Sequence, residues 1–413
     1  MRKLHQKNTV RYFLIVIALL FFLFLSGDFG LVDVQKTAIV MAVGIDREED
    51  AFIVTSQIAV PKASDSGKSS ETVQIVSRGK TVADAFEEIN AKTGWYPKLV
   101  FCRLILLGEK TAQNNVFDAL DFFLLDEYIS DNCLLATCDG QAKDLLNVKA
   151  LVDASGSVAI QKILSSHAQR VGTVLPTTLR EFSIGYYSES KSAFMPVLKT
   201  QPQQDPVDDT SPNPPNGAAP SAATQAQTSA QENGGKNAEN KDEEKPIFSA
   251  GETALFYAGK RVATLTEEET FAFNAVKNKL RLAAYSVETN EGAYTLSLKR
   301  NSPKTVCTLG KNGRVSYQIH VKISAGLLDS ANAFSKTEGI DGGDTPPSAY
   351  QAAEKLLAAQ ISSTFEKSRV SGCDLFGLLE TLQKRENKRF ESVKTTALEN
   401  AALTVRVQFQ NIR

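Results

Sequence analysis

The chain has 413 residues, of which 42% are hydrophobic and 23% are charged, so it can form more than one buried core. The formal net charge is -1, which excludes the global basic field that attracts proteins to nucleic acid. The charge is uneven, because residues 1–11 carry Arg2, Lys3, Lys7 and Arg11 and no acid. A basic tip on a mildly acidic body indicates an N-terminus that is oriented by a membrane.

An unbroken apolar run, Tyr12–Leu25, follows the cytoplasmic basic tip. The run is shorter than the roughly 20 residues of a full span and fits a signal-peptide core of roughly 7–15 residues. Apolar residues resume after Asp28, so residues 12–32 are predicted to form one transmembrane anchor. We favour an uncleaved anchor over a cleaved signal, because no small-x-small pattern precedes a cut. The basic flank places the body on the extracytoplasmic side.

The end of the apolar run contains a degenerate lipobox. Leu25, Ser26 and Gly27 resemble the first three residues of that bacterial motif, whose fourth residue is a lipidated cysteine. Asp28 occupies the fourth position here. Because a carboxylate cannot form the thioether bond, we predict that this site carries no lipid.

The clearest boundary in the sequence is the stretch 201–246, which is rich in Pro, Gln, Asn, Ala and Ser. It holds almost no large apolar residue, so it cannot offset about 1–2 kcal/mol of backbone entropy per residue by burial. We therefore predict a disordered linker there. It separates an N-terminal α/β region at 33–200 from a C-terminal α+β domain at 247–413.

In the N-terminal region, strand and helix patterns alternate along the chain. The first predicted elements are strands at Thr37–Ile45, Phe52–Val60 and Thr72–Ser77, and a helix capped by Thr81. The later ones are a buried strand at Leu99–Leu107, a helix at Phe117–Leu125, a strand at Cys133–Cys138, and helices at Ala142–Leu146 and Val158–Gln169.

The C-terminal region has the pattern of a sheet with one face in contact with solvent. A hairpin is predicted at Ala258–Lys260, and Thr266 with Glu269 forms a capping-box spacing. Apolar residues alternate with polar ones at 315–323 and 403–409, which predicts half-buried strands. Between these strands, the helical stripe consists of Ala353, Leu357, Ile361 and Phe365. A sheet covered by such a helix is an α+β arrangement.

The five cysteines show no CxxC spacing. Cys133 and Cys138 are five positions apart in a predicted strand, so their side chains point to opposite faces. That makes them poor partners for one disulfide or one metal ion. We predict that the cysteines are small buried apolar residues.

No motif in the chain predicts catalysis, a cofactor or a metal site. The three histidines, His5, His167 and His320, have no second ligand at zinc spacing, and no P-loop, HExxH, GxSxG or GxGxxG pattern occurs. Gly156-Ser157 is the nearest approach to a nucleophile turn, and no strand leads into it.

Two aromatic pairs are candidates for binding. Trp95 and Tyr96 precede Pro97 in a predicted loop and form a candidate protein interface, the alternative being that they cap the edge of a core. Phe271 and Phe273 lie in the helix after the hairpin, where packing into the core is the simpler interpretation.

The order of these segments resembles the Ger(x)C family, the C subunit of nutrient germinant receptors in spore-forming bacteria. The resemblance covers nearly all of the chain outside the linker. It is carried by Ala38–Asp46 (AIVMAVGID), Gln57–Pro61, Gly79–Asn90 (GKTVADAFEEIN), Leu99–Leu146, Gly251–Glu269 (GETALFYAGKRVATLTEEE) and Asp374–Gly377 (DLFG). This chain departs from the family at Asp28, at Ala263, where a glycine is frequent, and in its long linker.

The resemblance implies an α+β multidomain ectodomain on the outer face of the inner spore membrane, partnered by multispanning A and B receptor subunits and without enzymatic activity. From the residue patterns we expect mixed or antiparallel sheets covered by helices, behind the one N-terminal transmembrane helix of a single-pass protein. The charge and the motifs predict neither a metal nor a nucleic-acid partner. Two other interpretations stay open: a tethered solute-binding or envelope-scaffolding protein, and a secreted hydrolase with dispersed catalytic residues.

Overall fold

The computed structural model describes most of the chain outside the predicted linker. The described residues are 12–21, 36–60, 71–126, 128–148, 155–165, 172–201, 247–311, 313–331 and 345–412. The degenerate lipobox at Leu25–Asp28 and the linker residues 202–246 lie outside these ranges.

The first described segment, 12–21, is a helix, α1, whose side chains are exposed. Among the described residues, no helix combines the length and the apolar character needed to cross a bilayer. The predicted anchor at 12–32 continues into residues that are not described, so it stays a prediction.

A large sheet of ten strands forms the centre of the described protein, in the order β10-β9-β8-β6-β5-β1-β2-β3, with β4 beside β1 and β7 beside β6. The strands are β1 (Thr37–Glu48), β2 (Ala51–Val60), β3 (Glu71–Gly79), β4 (Tyr96–Lys98), β5 (Leu104–Leu107), β6 (Leu134–Cys138), β7 (Thr177–Thr178), β8 (Ser192–Gln201), β9 (Ile247–Tyr257) and β10 (Lys260–Leu265).

Four neighbouring strands, β1, β5, β6 and β8, run parallel to one another. The first residues of these strands, which include Thr37, Leu104 and Leu134, therefore lie toward the same end of the strands. We call this end of the sheet the N-terminal edge. The strands β2, β3, β9 and β10 extend the sheet in antiparallel fashion on either side.

Helices cover both faces of the large sheet. They are α2 (Val82–Thr93), α3 (Glu109–Gln113), α4 (Phe117–Leu125), α5 (Ala142–Asn147), α6 (Gly156–Ile163) and α7 (Leu179–Tyr187). One core contains Ile89 of α2 and Phe123 of α4, and the opposite core contains Leu146 of α5 and Ile160 of α6. This division places apolar residues on both faces of the parallel strands, as such sheets require.

A second sheet has four strands in the order β11-β12-β13-β14. These are β11 (Ala284–Thr289), β12 (Gly292–Leu309), β13 (Val315–Ala331) and β14 (Ala401–Asn411), with the helices α8 (Glu267–Val276), α9 (Pro347–Val370), α10 (Leu378–Arg385) and α11 (Asn387–Val393) nearby. The predicted stripe of α9 is buried, from Ala353 to Phe365, and so are Phe271 and Phe273. The α+β expectation is confirmed, and both sheets are mixed, since β14 pairs in parallel with β13.

The strands on either side of the predicted linker are direct neighbours. Gln201, the last residue of β8, is paired with Ile247, the first residue of β9. Consequently β9 and β10, which the sequence analysis assigned to the C-terminal domain, complete the sheet of the N-terminal region. The large sheet thus contains strands from both sides of the 201–246 boundary. The division of the chain into domains stays a prediction.

Several local predictions are confirmed by hydrogen bonds. The Thr81 hydroxyl accepts from the Asp84 amide at the start of α2, and Thr266 forms a complete capping box with Glu269. The hairpin turn consists of Ala258 and Gly259, whose φ angles of 48° and 80° match the primed turns that suit a two-residue hairpin.

The prediction of a continuous buried strand over Leu99–Leu107 is wrong in its first half. The strand covers only Leu104–Leu107, and residues 99–102 form a turn. An apolar run alone does not distinguish a strand from an apolar turn that projects from the surface. In addition, β6 begins after Cys133, at Leu134, and α6 begins at Gly156 and ends at Ile163, while the predicted helical residues 166–169 lie outside the described ranges.

Candidate interaction surface

The position of Trp95 is set by the end of α2. Gly94 ends this helix with a φ of 71°, and its amide donates a 2.7 Å hydrogen bond to the Asn90 carbonyl. This left-handed turn is a common way to end a helix, and glycine adopts it without strain. The Trp95 amide then donates to the Thr93 hydroxyl at 3.2 Å, which fixes the chain direction, and the Trp95 side chain is exposed.

Tyr96 lies at the N-terminal edge of the large sheet. It begins β4 and pairs in parallel register with Thr37, the first residue of β1. Trp95 and Tyr96 have 47% and 45% of their surface exposed, so neither caps a core completely. Both rings are available for contact with a partner. Their role as a protein interface stays a prediction.

The turn that follows β4 presents two more apolar side chains to solvent. The Cys102 amide donates a 2.8 Å hydrogen bond to the Leu99 carbonyl, and these two end residues are buried. Val100 and Phe101 occupy the two corner positions and are 49% and 50% exposed. Corner positions of turns are ordinarily polar or glycine-rich, so this pair is unusual.

The loop before β6 adds an aromatic ring to the same edge. The Lys98 ammonium lies 5.1 Å from the centroid of the Tyr128 ring, which is a cation–π distance. Tyr128 is exposed, and so is Leu125 at the end of α4. We define the aromatic surface as Trp95, Tyr96, Val100, Phe101, Leu125 and Tyr128.

The aromatic surface has little concavity. Between Ala91 and Arg103 the chain carries Lys92, Lys98 and Arg103 and no acid. The neighbouring groove between α2, β4 and α4 has a volume of about 190 Å³, and the acids Glu87 and Asp126 lie in its wall. Such a shallow groove is too small for most small-molecule ligands, which occupy roughly 300–1,000 Å³. The surface is therefore suited to contact with a macromolecule or a membrane.

A larger groove, of about 530 Å³, lies between α7, β8 and the turn at 373–377. Burial raises the pKa of Asp374 in its wall, although the amides of Leu379 and Leu378 hydrogen-bond the carboxylate. Reduced hydration lowers the pKa of Lys277, against the attraction of Asp374. Lys277 is nevertheless exposed at the mouth of the groove, so solvent limits this effect.

Two carboxylates that are buried in the described part of the chain act as helix caps. Asp46 accepts hydrogen bonds of 2.7 Å and 3.0 Å from the amides of Ala142 and Lys143 at the start of α5. Burial raises its pKa despite these hydrogen bonds. Asp374 accepts two bonds of 2.8 Å from the first turn of α10 in the same way. Their environments are explained by capping, which requires no catalytic role.

The five cysteines are all buried and free, as small apolar residues would be. Cys133 and Cys138 lie in the cores on opposite faces of the large sheet, as predicted. One relationship is not visible in the sequence: the neighbouring thiol of Cys102, together with burial, raises the pKa of Cys133. In the described part of the chain, no group of three or more His, Cys, Asp or Glu side chains could hold a metal ion.

Sequence reasoning found two of the six residues of the aromatic surface. It assigned Val100 and Phe101 to a buried strand, and it assigned no role to Leu125 or Tyr128. The signal available was the acid-free stretch Ala91–Arg103, which holds three aromatic and three basic residues. Tyr128 could not be found this way, because only the fold brings it to Lys98.

Comparison with known proteins places both halves of the chain in one family. Residues 31–200 match the model described as "Spore germination protein N-terminal domain", and residues 251–413 match "Spore germination B3/ GerAC like, C-terminal". The two matches follow one another on either side of the predicted linker.

Two curated relatives come from Bacillus subtilis (strain 168). "Spore germination protein B3" is 29% identical over 136 residues, which cover 31% of this chain and 36% of the relative. "Spore germination protein A3" is 26% identical over 173 residues, which cover 39% of this chain and 44% of the relative. The alignments therefore span less than half of either relative.

A solved structure, "Crystal Structure of the GerBC protein", matches the fold with a TM-score of 0.53 at 17% identity. The match covers 90% of this chain and 97% of that chain, so it includes both sheets. The paired domain models, the two relatives and the shared fold agree with one another. The chain belongs to the Ger(x)C family of spore germination proteins.

Proposed function

We propose that this chain is the C subunit of a nutrient germinant receptor and acts in nutrient-triggered spore germination without catalysing a reaction. In this proposal, its N-terminal apolar segment anchors it as a single-pass protein in the inner spore membrane, with the body on the extracytoplasmic side. It acts by contact with the multispanning A and B subunits of the receptor.

The observation that carries this proposal is the ordered match of both domain models over 31–200 and 251–413. A match to only one of the two domain models would not support a function for the whole chain. The apolar run Tyr12–Leu25 behind a basic tip supports the anchor and its orientation.

The chemistry of the described residues supports a non-catalytic role. The buried carboxylates Asp46 and Asp374 are engaged as helix caps, and the buried thiols of Cys133 and Cys138 have raised pKa values, which disfavours the reactive thiolate. By contrast, the aromatic surface offers exposed rings of the kind that anchor interfaces.

The test is germination of spores from a strain that lacks this chain. Loss of optical density would be followed after addition of nutrient mixtures, and a non-nutrient trigger would serve as the control. We expect a defect with nutrients alone, restored by the wild-type gene. Normal germination of a strain in which all related receptors are also deleted would contradict the proposal and favour a tethered solute-binding or scaffolding protein.

A second measurement addresses the partners. Affinity purification of the tagged full chain from detergent-solubilised spore membranes should recover the A and B subunits encoded with it. Recovery of the chain without either subunit, under conditions that keep A and B together, would contradict the proposed assembly.

A further inference from the structure

We propose that the aromatic surface lies in the headgroup region of the bilayer that the apolar N-terminal segment enters, so that the chain has a second contact with the membrane. This inference rests on the membrane anchor of the proposed function. It assigns a lipid surface, and not a protein subunit, as the occupant of the aromatic surface.

The position of the aromatic surface supports a lipid occupant. Tyr96 is paired with Thr37, where the chain first enters the sheet. The apolar run ends at Leu25, twelve positions before Thr37. Even a fully extended chain covers only about 40 Å over that length. The N-terminal edge of the large sheet is therefore tethered within about 40 Å of the membrane core, whatever path the intervening residues take.

The composition of the aromatic surface also fits the headgroup region. Trp and Tyr are enriched at membrane–water interfaces, where one part of the ring is in contact with apolar chains and the polar atom stays hydrated. Trp95, Tyr96 and Tyr128 supply three such rings, each of them exposed. Val100 and Phe101 stand at the corners of a turn, which is the shape of a small insertion tip.

The charges around the aromatic surface are mixed. Lys98 and Arg103 lie within the acid-free stretch, and Lys92 is partly neutralised by Glu88 at 3.0 Å. The groove wall contains the acids Glu87 and Asp126, and Asp126 and Glu127 stand between Leu125 and Tyr128 in the sequence. The basic groups can attract anionic headgroups within a Debye length and the acids oppose this attraction, so the exposed rings supply the main contact with lipid.

Trp95 makes this proposal directly measurable, because it is the chain's single tryptophan. The full chain would be reconstituted into vesicles of phosphatidylcholine with and without phosphatidylglycerol. Trp95 emission would be compared with that in detergent, and quenching by brominated lipids with quenching by aqueous acrylamide. We expect a blue shift, strong quenching by lipids brominated near the headgroup, and weak quenching by acrylamide in both vesicle types.

Two variants test the surface itself. Phe101→Ser should reduce quenching by brominated lipid at least twofold, because it removes the ring at the tip of the turn. Leu328→Ser, at an exposed apolar residue of the small sheet, should leave it unchanged. Circular dichroism spectra that match the wild type would establish that both variants fold.

Two outcomes would overturn the proposal. Trp95 could stay accessible to acrylamide and unaffected by brominated lipid in both vesicle types, although the chain floats with the vesicles. Alternatively, Trp95 could become shielded only when the A and B subunits are reconstituted with it, which would identify a protein interface. A chain that does not float with vesicles at all would contradict the anchor, and so the proposed function, separately from this inference.

Discussion

The backbone amide of Asp374 donates a 2.9 Å hydrogen bond to the hydroxyl of Ser192. This bond joins the turn that precedes α10 to the first residue of β8, so it connects the region of the small sheet to the large sheet. Ser192 in turn donates to the Ser190 carbonyl at 2.8 Å, which fixes the direction of its hydroxyl.

Ser192→Ala should therefore destabilise the protein by about 1–3 kcal/mol, because a buried amide loses its acceptor. Chemical denaturation followed by circular dichroism would measure the free energy of unfolding. Ser362→Ala is the matched control, since that hydroxyl is exposed and donates only to its own helix at Ala358. We expect a change within about 0.5 kcal/mol for the control. Equal effects of the two variants would contradict a structural role for the Ser192 bond.

The raised pKa of Asp46 predicts a pH dependence of stability. The folded state binds the proton of this carboxyl more tightly than the unfolded state does, because burial disfavours the charged form. The contribution of Asp46 to the free energy of unfolding should therefore fall as pH rises from its ordinary value of 3.8 through the raised folded pKa.

Denaturation of the wild type and of Asp46→Asn across that pH range would measure this contribution. The free energy of unfolding of the wild type minus that of Asp46→Asn should decrease as pH rises. Asp374 is present in both proteins, so its own raised pKa cancels in the difference. A difference that increases with pH would mean that the two amide hydrogen bonds outweigh desolvation.

The hairpin glycine offers a test of steric packing. A Cβ atom at Gly259 would lie 2.4 Å from the side-chain oxygen of Asn115, at a φ of 80°. Gly313 has a similar φ of 76° and no atom within 4 Å of the same position. Gly313→Ala should cost about 1–2 kcal/mol from the backbone alone, and Gly259→Ala should cost more. Thermal midpoints would measure both, and equal losses would show that Asn115 moves away freely.

The buried thiols should be unreactive in the folded protein. Burial raises the pKa of Cys307 to about 11 and that of Cys373 to about 12, so the reactive thiolate is scarce near neutral pH. A maleimide reagent should modify none of the five cysteines until the chain is unfolded, as intact mass would report. Ser362→Cys provides an exposed thiol that should react at once. Rapid modification of any native cysteine would indicate local opening.

The degenerate lipobox predicts the chemistry of the N-terminus. With Asp28 in place of cysteine, the mature chain should carry no acyl group, and its extraction from membranes should require detergent. Intact-mass measurement of the protein purified from spores would decide this. A mass increase equal to a diacylglyceryl group would contradict the prediction, and Asp28→Cys would be the positive control for lipidation.

Local chemistry was readable from the sequence where a few adjacent residues decide the structure. Thr266 and Glu269 specify a capping box, and Ala258-Gly259 specifies a tight hairpin, because each depends on contacts within four residues. The alternation in β13 was equally reliable, since one face of that strand packs under α9 and the other is wet.

Predictions that depend on distant parts of the chain were less successful. Val100 and Phe101 look like strand residues in isolation, but they occupy the corners of the turn that follows β4 and are exposed. The contact between Lys98 and Tyr128 joins residues that are far apart in sequence, so no local pattern announces it. The interaction of Cys102 with Cys133 was missed for the same reason.

The register of Gln201 opposite Ile247 has a practical consequence. The segment 202–246 leaves and re-enters the sheet at adjacent backbone positions, and doubling the length of such a loop costs only about 0.6 kcal/mol in closure entropy. A fluorescent protein inserted there would be attached to the adjacent ends of two neighbouring strands, and the order of the strands in the sheet would not change. This position is therefore suited to counting and locating the chain in single spores without modifying either terminus.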